Sequence, residues 1–350
     1  MTGLTTIVCT VTLVALSVQA ADGTVGAPQP VTPDASPDAC RLLRYLAHLP
    51  DRPDARVLSA QHCGRGLEVP KFYHANIEAL HDATGQWVAM MGADYGPGRT
   101  QEGQPDIGVT NASLIEYYRA GGLVTLCWHA RNPWTRGTAW DTEIGNLAEL
   151  YTEGTAINKI WMKDLERVAD GLEALRDADV VVYWRPFHEM NGRWFWWGAH
   201  TQEELAALWQ HMFHYLAVER QLNNLLWGYS PNKGTSRPGT HYYTGDAYCD
   251  IVGIDHYGNE ISLVAYDDLV ATGKPICLSE IGPKRGTNGA FDYAQVIRAI
   301  KERYPRIVLF QSWSLEWAMV RNRNAETLLR DPWVVNRDDL DWRKTPIEPR

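Results

Sequence analysis

Val180-Val181-Val182-Tyr183-Trp184-Arg185-Pro186-Phe187-His188-Glu189 is an apolar run that closes on a carboxylate. Its first five residues are apolar without alternation, the pattern of a strand covered on both faces. Seven further runs read the same way: Arg56–His62, Trp87–Asp94, Leu123–His129, Leu225–Ser230, Ile251–Tyr257, Ile276–Glu280 and Ile307–Trp313. Helical patterns separate them. Lys159–Leu175 spaces Ile160, Leu165, Val168, Leu172 and Leu175 along one face, and Glu203–Glu219 and Tyr293–Arg303 behave similarly. Asn111–Ala120 is expected as a helix capped by Asn111 and stopped by Gly121-Gly122. Alternating buried strands and amphipathic helices predict an α/β fold, a single (β/α)8 TIM barrel. A doubly wound open sheet is the alternative, but no GxGxxG or P-loop pattern follows the first strand.

The chain has 350 residues, enough for one large domain, and a formal net charge of −9. That charge and the scattered Lys and Arg argue against a nucleic-acid partner. Trp (15) and Tyr (16) far outnumber Phe (6). Both join a flat apolar face to a hydrogen-bonding edge, the two-sided character that a sugar ring also has.

The apolar run Leu4–Val18 is too short for a membrane span and leads to Val18-Gln19-Ala20, a small-residue cleavage pattern. Residues 1–20 are therefore expected to be a signal peptide, 21–45 a leader and 46–350 the catalytic domain. The mature protein is expected to be secreted, monomeric and free of membrane. Cys127 and Cys277 lie in apolar strands as reduced core residues, and Cys40–Cys63 is the expected disulfide if any forms.

A barrel of this kind works at the C-terminal ends of its strands. The polar or aromatic residues there are His62, Asp94, His129, Glu189, Asn232, Tyr257, Glu280 and Trp313. Glu189 and Glu280 stand out. Strands four and seven face each other across a small barrel, so the two carboxyls can meet over one bond. Glycosidic cleavage needs such a pair: an acid for the departing oxygen, and a carboxylate that attacks the anomeric carbon or activates water. A separation of about 5–5.5 Å would mean retention of configuration. Glu189 must keep a proton near neutrality, and Trp194, Phe195, Trp196 and Trp197 supply apolar walls. Glu280 needs donors, for which Tyr257 and Arg185 are in reach. Asp94 and Asp255 are expected as hydrogen-bond anchors, and at least one of Trp128, Trp134 and Trp140 as a sugar platform.

Other chemistries find little support. His188-Glu189 opens like HExxH, but Gly192 stands where the second His belongs. No GxSxG elbow occurs, and no Cys/His cluster suggests a metal site. Neither metal nor cofactor is expected.

The segment Arg185-Pro186-Phe187-His188-Glu189-Met190-Asn191-Gly192-Arg193-Trp194-Phe195-Trp196-Trp197-Gly198 closely resembles the acid/base segment of glycoside hydrolase family 26, whose best-known members are endo-β-1,4-mannanases. Ser279-Glu280-Ile281-Gly282-Pro283 resembles the family's nucleophile segment. Trp128 to Pro133 and Gly253 to Tyr257 resemble its third- and sixth-strand motifs, so the likeness spans roughly residues 55–320. The resemblance implies Glu189 as acid/base and Glu280 as nucleophile. It implies substrate binding by His129, His188, Trp194, Tyr257 and Trp313: His188 beside the scissile bond, Trp194 on the leaving-group side, Tyr257 orienting Glu280, Trp313 as the floor under the reacting sugar, and His129 on the glycone sugars. The substrate it implies is a β-mannan, whether mannan, glucomannan or galactomannan. A β-1,3-1,4-glucanase on the same scaffold, and a non-catalytic polysaccharide-binding protein, are the rival readings. One departure is Ser314 after Trp313, where several family members carry Arg. Arg321 and Arg323 are the local substitutes to examine.

Overall fold

The structure, a computed structural model, describes residues 28–101, 103–198, 200–233 and 238–347. The expected signal peptide lies outside the described residues.

Eight parallel strands close into a barrel: β1 Val57–Arg65, β2 Met90–Asp94, β3 Leu123–Trp128, β4 Val182–Pro186, β5 Leu225–Tyr229, β6 Ile251–Tyr257, β7 Ile276–Gly282 and β8 Ile307–Ser312. Each pairs with its sequence neighbour, and β8 and β2 both pair with β1, which closes the ring. Because helices cover the outside and side chains fill the inside, nearly every strand residue is buried, which is why the strands read as unbroken apolar runs. A short ninth strand, β9 Val334–Val335, pairs with the start of β1.

The long helix spans Ala156–Asp177, capped by Thr155, whose side chain accepts from the amide of Asn158. Its buried stripe runs through Trp161, Leu165, Val168, Leu172 and Leu175, while Ile160 is half-buried. The helix at Gln202–Phe213 opens with a capping box between Thr201 and Glu204 and continues as one wide turn over His214–Glu219. The helix expected from Asn111 starts earlier, at Ile107–Arg119, because Asp106 caps it. Asn111 is instead buried, donating to the carbonyl of Gly171 and accepting from the Tyr95 hydroxyl at 2.5 Å.

One boundary and one disulfide differ from expectation. The segment read as leader is packed: Val31 donates its amide to Asp250 Oδ1 at 2.7 Å, Ser36 to the carbonyl of Asn223 at 2.8 Å, and a helix Pro37–His48 buries Leu42, Leu43 and Leu46. The domain therefore begins near residue 31. The polar composition there misleads because hydrogen bonds to distant residues fix the segment together with the packing of Ala35 and Val31 against the core. The expected Cys40–Cys63 disulfide is absent, and all five described cysteines are unpaired and buried. Cys40 sits in the helix under the N-terminal ends of the strands, while Cys63 lies near the C-terminal end of β1.

Candidate active site

Strand β4 stops at Pro186, three residues before Glu189. The chain then turns sharply, with Phe187 at φ 50° and Glu189 at φ 54°. Left-handed conformations in residues with a Cβ are uncommon, and they persist where surroundings over-determine them. Here the amide of Glu189 donates to the carbonyl of Ser230 at 2.7 Å, and Trp197 Nε1 donates to the carbonyl of His188 at 2.9 Å. The turn brings the Glu189 carboxyl over the barrel mouth. Oε2 accepts from Trp194 Nε1 at 2.7 Å and Oε1 from Asn232 Nδ2 at 2.6 Å.

Glu280 is aimed by a different device. The β6–β7 register slips so that Ile254 faces Leu278 but Asp255 faces Glu280, leaving Ser279 as the extra residue of a bulge. Regular alternation would send Ser279 and Glu280 to opposite faces. With the bulge, both meet the inward face of β4: Ser279 Oγ bonds Tyr183 OH at 2.9 Å, and Glu280 Oε1 accepts from Arg185 Nη2 at 3.2 Å. Tyr257 OH donates to the other oxygen at 2.8 Å. His188 Nε2 lies 3.8 Å from Oε1.

The two carboxyls thus live in unlike surroundings. Glu280 has a guanidinium and a phenol on its oxygens. Glu189 has only neutral donors; burial and the negative charge of Glu280 push its acidity constant up to about 7. One group keeps a proton near neutrality beside another held by a cation, the division of labour that acid and nucleophile require.

Both line one cleft of about 530 Å³ at the C-terminal face of the barrel. His129, His188, Trp194, Tyr257 and Trp313 line it too, so all seven expected site residues converge. His129 is fixed by Asp94, whose Oδ2 meets His129 Nδ1 at 2.5 Å and whose Oδ1 accepts the His129 amide at 3.1 Å. His188 packs edge-on against it, ring centroids 4.6 Å apart, and burial, with the Arg185 guanidinium nearby, holds its imidazole well below the usual histidine range. Trp313 stacks on His62 with centroids 3.6 Å apart and planes 12° from parallel. Asp255 accepts from Ser230 Oγ at 2.8 Å and anchors Arg185.

Asp94, Cys127 and His129 are the one metal-like cluster among the described residues. Asp94 is already engaged by His129 and by Arg65, which sits 3.2 Å away, while Cys127 Sγ donates to the carbonyl of Ala93 at 3.7 Å and burial pushes its thiol well up. Asp94 orients His129.

The aromatic run divides. Trp194 is exposed and Phe195 lines the cleft, but Trp196 and Trp197 are buried core. Trp128 stacks on Trp161 inside the protein and Trp134 packs on Trp196; of the third-strand tryptophans, Trp140 alone lines the cleft. Arg321 and Arg323 stay off it, Arg323 reaching the carbonyl of Ala290. The guanidiniums in the wall are Arg65, Arg99 and Arg285, none of them singled out by sequence. Arg65 ends β1, and Arg99 and Arg285 sit on the loops after β2 and β7; the rule that barrel sites form at these strand ends and loops was the only signal available.

A (β/α)8 barrel that sets a carboxyl of raised acidity constant beside one held by a guanidinium, in one aromatic-walled cleft, has the parts of a glycoside hydrolase. The sequence matches Glycosyl hydrolase family 26 over residues 31–339, and the chain belongs to that family. It is 35% identical to a mannan endo-1,4-beta-mannosidase of Bacillus subtilis (strain 168), across 91% of each chain. A solved mannanase from Bacillus subtilis superposes with a TM-score of 0.81 at 34% identity, covering 88% of this chain and 95% of that one. A beta-mannanase from a protist symbiont of the termite Reticulitermes speratus, solved with a gluco-manno-oligosaccharide, gives 0.73 at 25% identity, covering 89% and 97%.

Proposed function

We propose that this protein is an endo-β-1,4-mannanase that hydrolyses mannan, glucomannan or galactomannan with retention of configuration. The observation that carries the reading is the contrast between Glu189 and Glu280. Family membership and relatives named as mannan endo-1,4-beta-mannosidases support the substrate class.

In the first step Glu280 attacks the anomeric carbon as Glu189 hands its proton to the departing glycosidic oxygen. A glycosyl ester on Glu280 results, and Glu189 is left ionised. In the second step Glu189 takes a proton from water, the water oxygen bonds to the anomeric carbon, and the ester bond to Glu280 breaks. Trp313 supports the reacting sugar, His188 lies beside Glu280, and Trp194 flanks the leaving group. We further propose that the chain is exported and acts as a monomer on extracellular or periplasmic polysaccharide. The apolar run before Ala20 supports export.

Hydrolysis of mannohexaose followed by NMR tests the reading. The expected first product is the β-anomer, with internal cleavage. Barley-type mixed-linkage glucan is the comparison substrate. Initial release of the α-anomer, or strong hydrolysis of glucan with none of mannan, would overturn the proposal.

A further inference from the structure

We infer that Leu315 is a specificity-determining residue. Its side chain is the apolar contact for a sugar on the glycone side of the cleavage point, held there at a cost in backbone strain. This rests on the reading of the cleft as a β-mannan site.

Leu315 follows β8 two residues beyond Trp313. Its backbone is left-handed, φ 60°, and the residue is 50% exposed. Each feature alone is unfavourable. A leucine in this conformation brings its Cβ against its own carbonyl, at about 1–2 kcal/mol, where glycine would sit freely. An exposed leucine gains no burial to offset that. The side chain forms part of the wall of the active-site cleft, where a ligand can cover it.

The conformation is imposed from outside the residue. The carbonyl of Trp317 accepts from Ser312 Oγ at 3.1 Å and from the Tyr293 hydroxyl. Trp317 Nε1 donates to the carbonyl of Pro283 at 3.0 Å, and the amide of Met319 to Gln61 Oε1 at 3.2 Å. Within the turn, the amide of Ala318 donates to the carbonyl of Leu315 at 3.2 Å. A turn pinned on both flanks can hold a strained residue at its tip, and strain held in place at a cleft is a mark of function.

Topology places the contact. Trp194 bonds the acid Glu189, so the β4 side of the mouth takes the leaving group. In the closed ring β8 lies across from β4, and its loop takes the glycone. The ligand chemistry is the C–H face of a pyranose, which an aliphatic side chain covers as well as an aromatic ring does.

The test compares Leu315→Gly and Leu315→Met with wild type on mannohexaose and on an activated aryl β-mannoside bearing one sugar. Leu315→Gly should lower kcat/KM for mannohexaose about tenfold, mainly through KM, the loss expected for one half-covered leucine. The ratio of mannohexaose to aryl mannoside activity should fall with it. Its thermal midpoint should match or exceed wild type, because the strain is gone. Leu315→Met keeps the apolar contact and should hold KM within about twofold. A mannohexaose KM for Leu315→Gly within twofold of wild type would overturn the inference. So would an equal loss on both substrates with a lowered midpoint, which marks a structural role. Wild type failing to cleave mannan at all would instead sink the underlying reading.

Discussion

Arg185 spans two acids: its Nη2 lies 3.2 Å from Glu280 Oε1 and its Nη1 3.4 Å from Asp255 Oδ1, with the guanidinium 1% exposed. The strand that leads to Glu189 thus also supplies the cation that holds Glu280. One formal positive charge serves Glu280, Asp255 and Glu189 together, and burial and the Glu280 charge push both Asp255 and Glu189 up.

Arg185→Met should therefore be costly on two counts. Removing one partner of a buried charge pair destabilises by about 3–5 kcal/mol. Glu280 also loses its orientation, so activity on mannan should fall at least about 100-fold. Arg185→Lys should rescue little, because one ammonium cannot bridge two carboxylates in the guanidinium's fork. Denaturant unfolding and initial rates measure both; an Arg185→Lys enzyme with wild-type stability and turnover would refute the bridging role.

The acidity of Glu189 sets the alkaline limit of activity. Glu189 must carry a proton to act, and its raised constant of about 7 keeps that proton through mildly acidic and neutral conditions. Activity should decline as pH rises through about 7. The indole N–H of Trp194 favours the ionised form, so Trp194→Phe should move this limb to higher pH. Glu189→Ala should lose least on aryl glycosides with good leaving groups, and with them its rate should lack the limb. A profile for Trp194→Phe superimposable on wild type, or shifted to lower pH, would count against the assignment.

Tyr257→Phe removes one of the donors on Glu280 at little cost in volume. A hydrogen bond to a charged group is worth about 1.5–3 kcal/mol. The expected outcome is a kcat reduced roughly 10- to 100-fold with KM nearly unchanged. A rise in KM at constant kcat would instead mark Tyr257 as a plain sugar contact.

His62 lies under Trp313 as its stacking support, with its Nδ1 accepting the amide of Gly64 at 3.1 Å. An aromatic pair of this kind contributes about 0.5–1.5 kcal/mol, so His62→Ala should raise KM for mannohexaose roughly two- to tenfold. His62→Phe should preserve the stack and most of the affinity. Tryptophan fluorescence on titration with mannohexaose gives an independent reading of Trp313. Equal behaviour of the two variants would remove the stacking argument.

The order of strands, the closing of the barrel and the pair Glu189 and Glu280 were legible from the sequence. Strands buried on both faces have a local signature, and the barrel's topology then tells which residues share a mouth. Tyr257, Arg185 and Asp255 were placed correctly as donors or anchors by the same logic. The aromatic residues were less legible. Trp194 and Trp197 are three residues apart, yet one faces the cleft and the other the core. The turn between them follows no period, so only its hydrogen bonds decide which indole turns inward. The packed segment from Val31 was missed for a similar reason: its contacts are with Asp250 and Asn223, some two hundred positions away.

The sequence by itself determined the fold class, the family and the two carboxyls that share the cleft, because apolar periodicity and short motifs are local properties of the chain. Only the tertiary structure decided how each carboxyl is tuned. The left-handed turn at Glu189, the bulge at Ser279, the bridging of Arg185 and the strained tip at Leu315 each depend on groups brought together by barrel closure. Acidity and orientation arise from the field and contacts of those neighbours, and these exist only once the ring has formed.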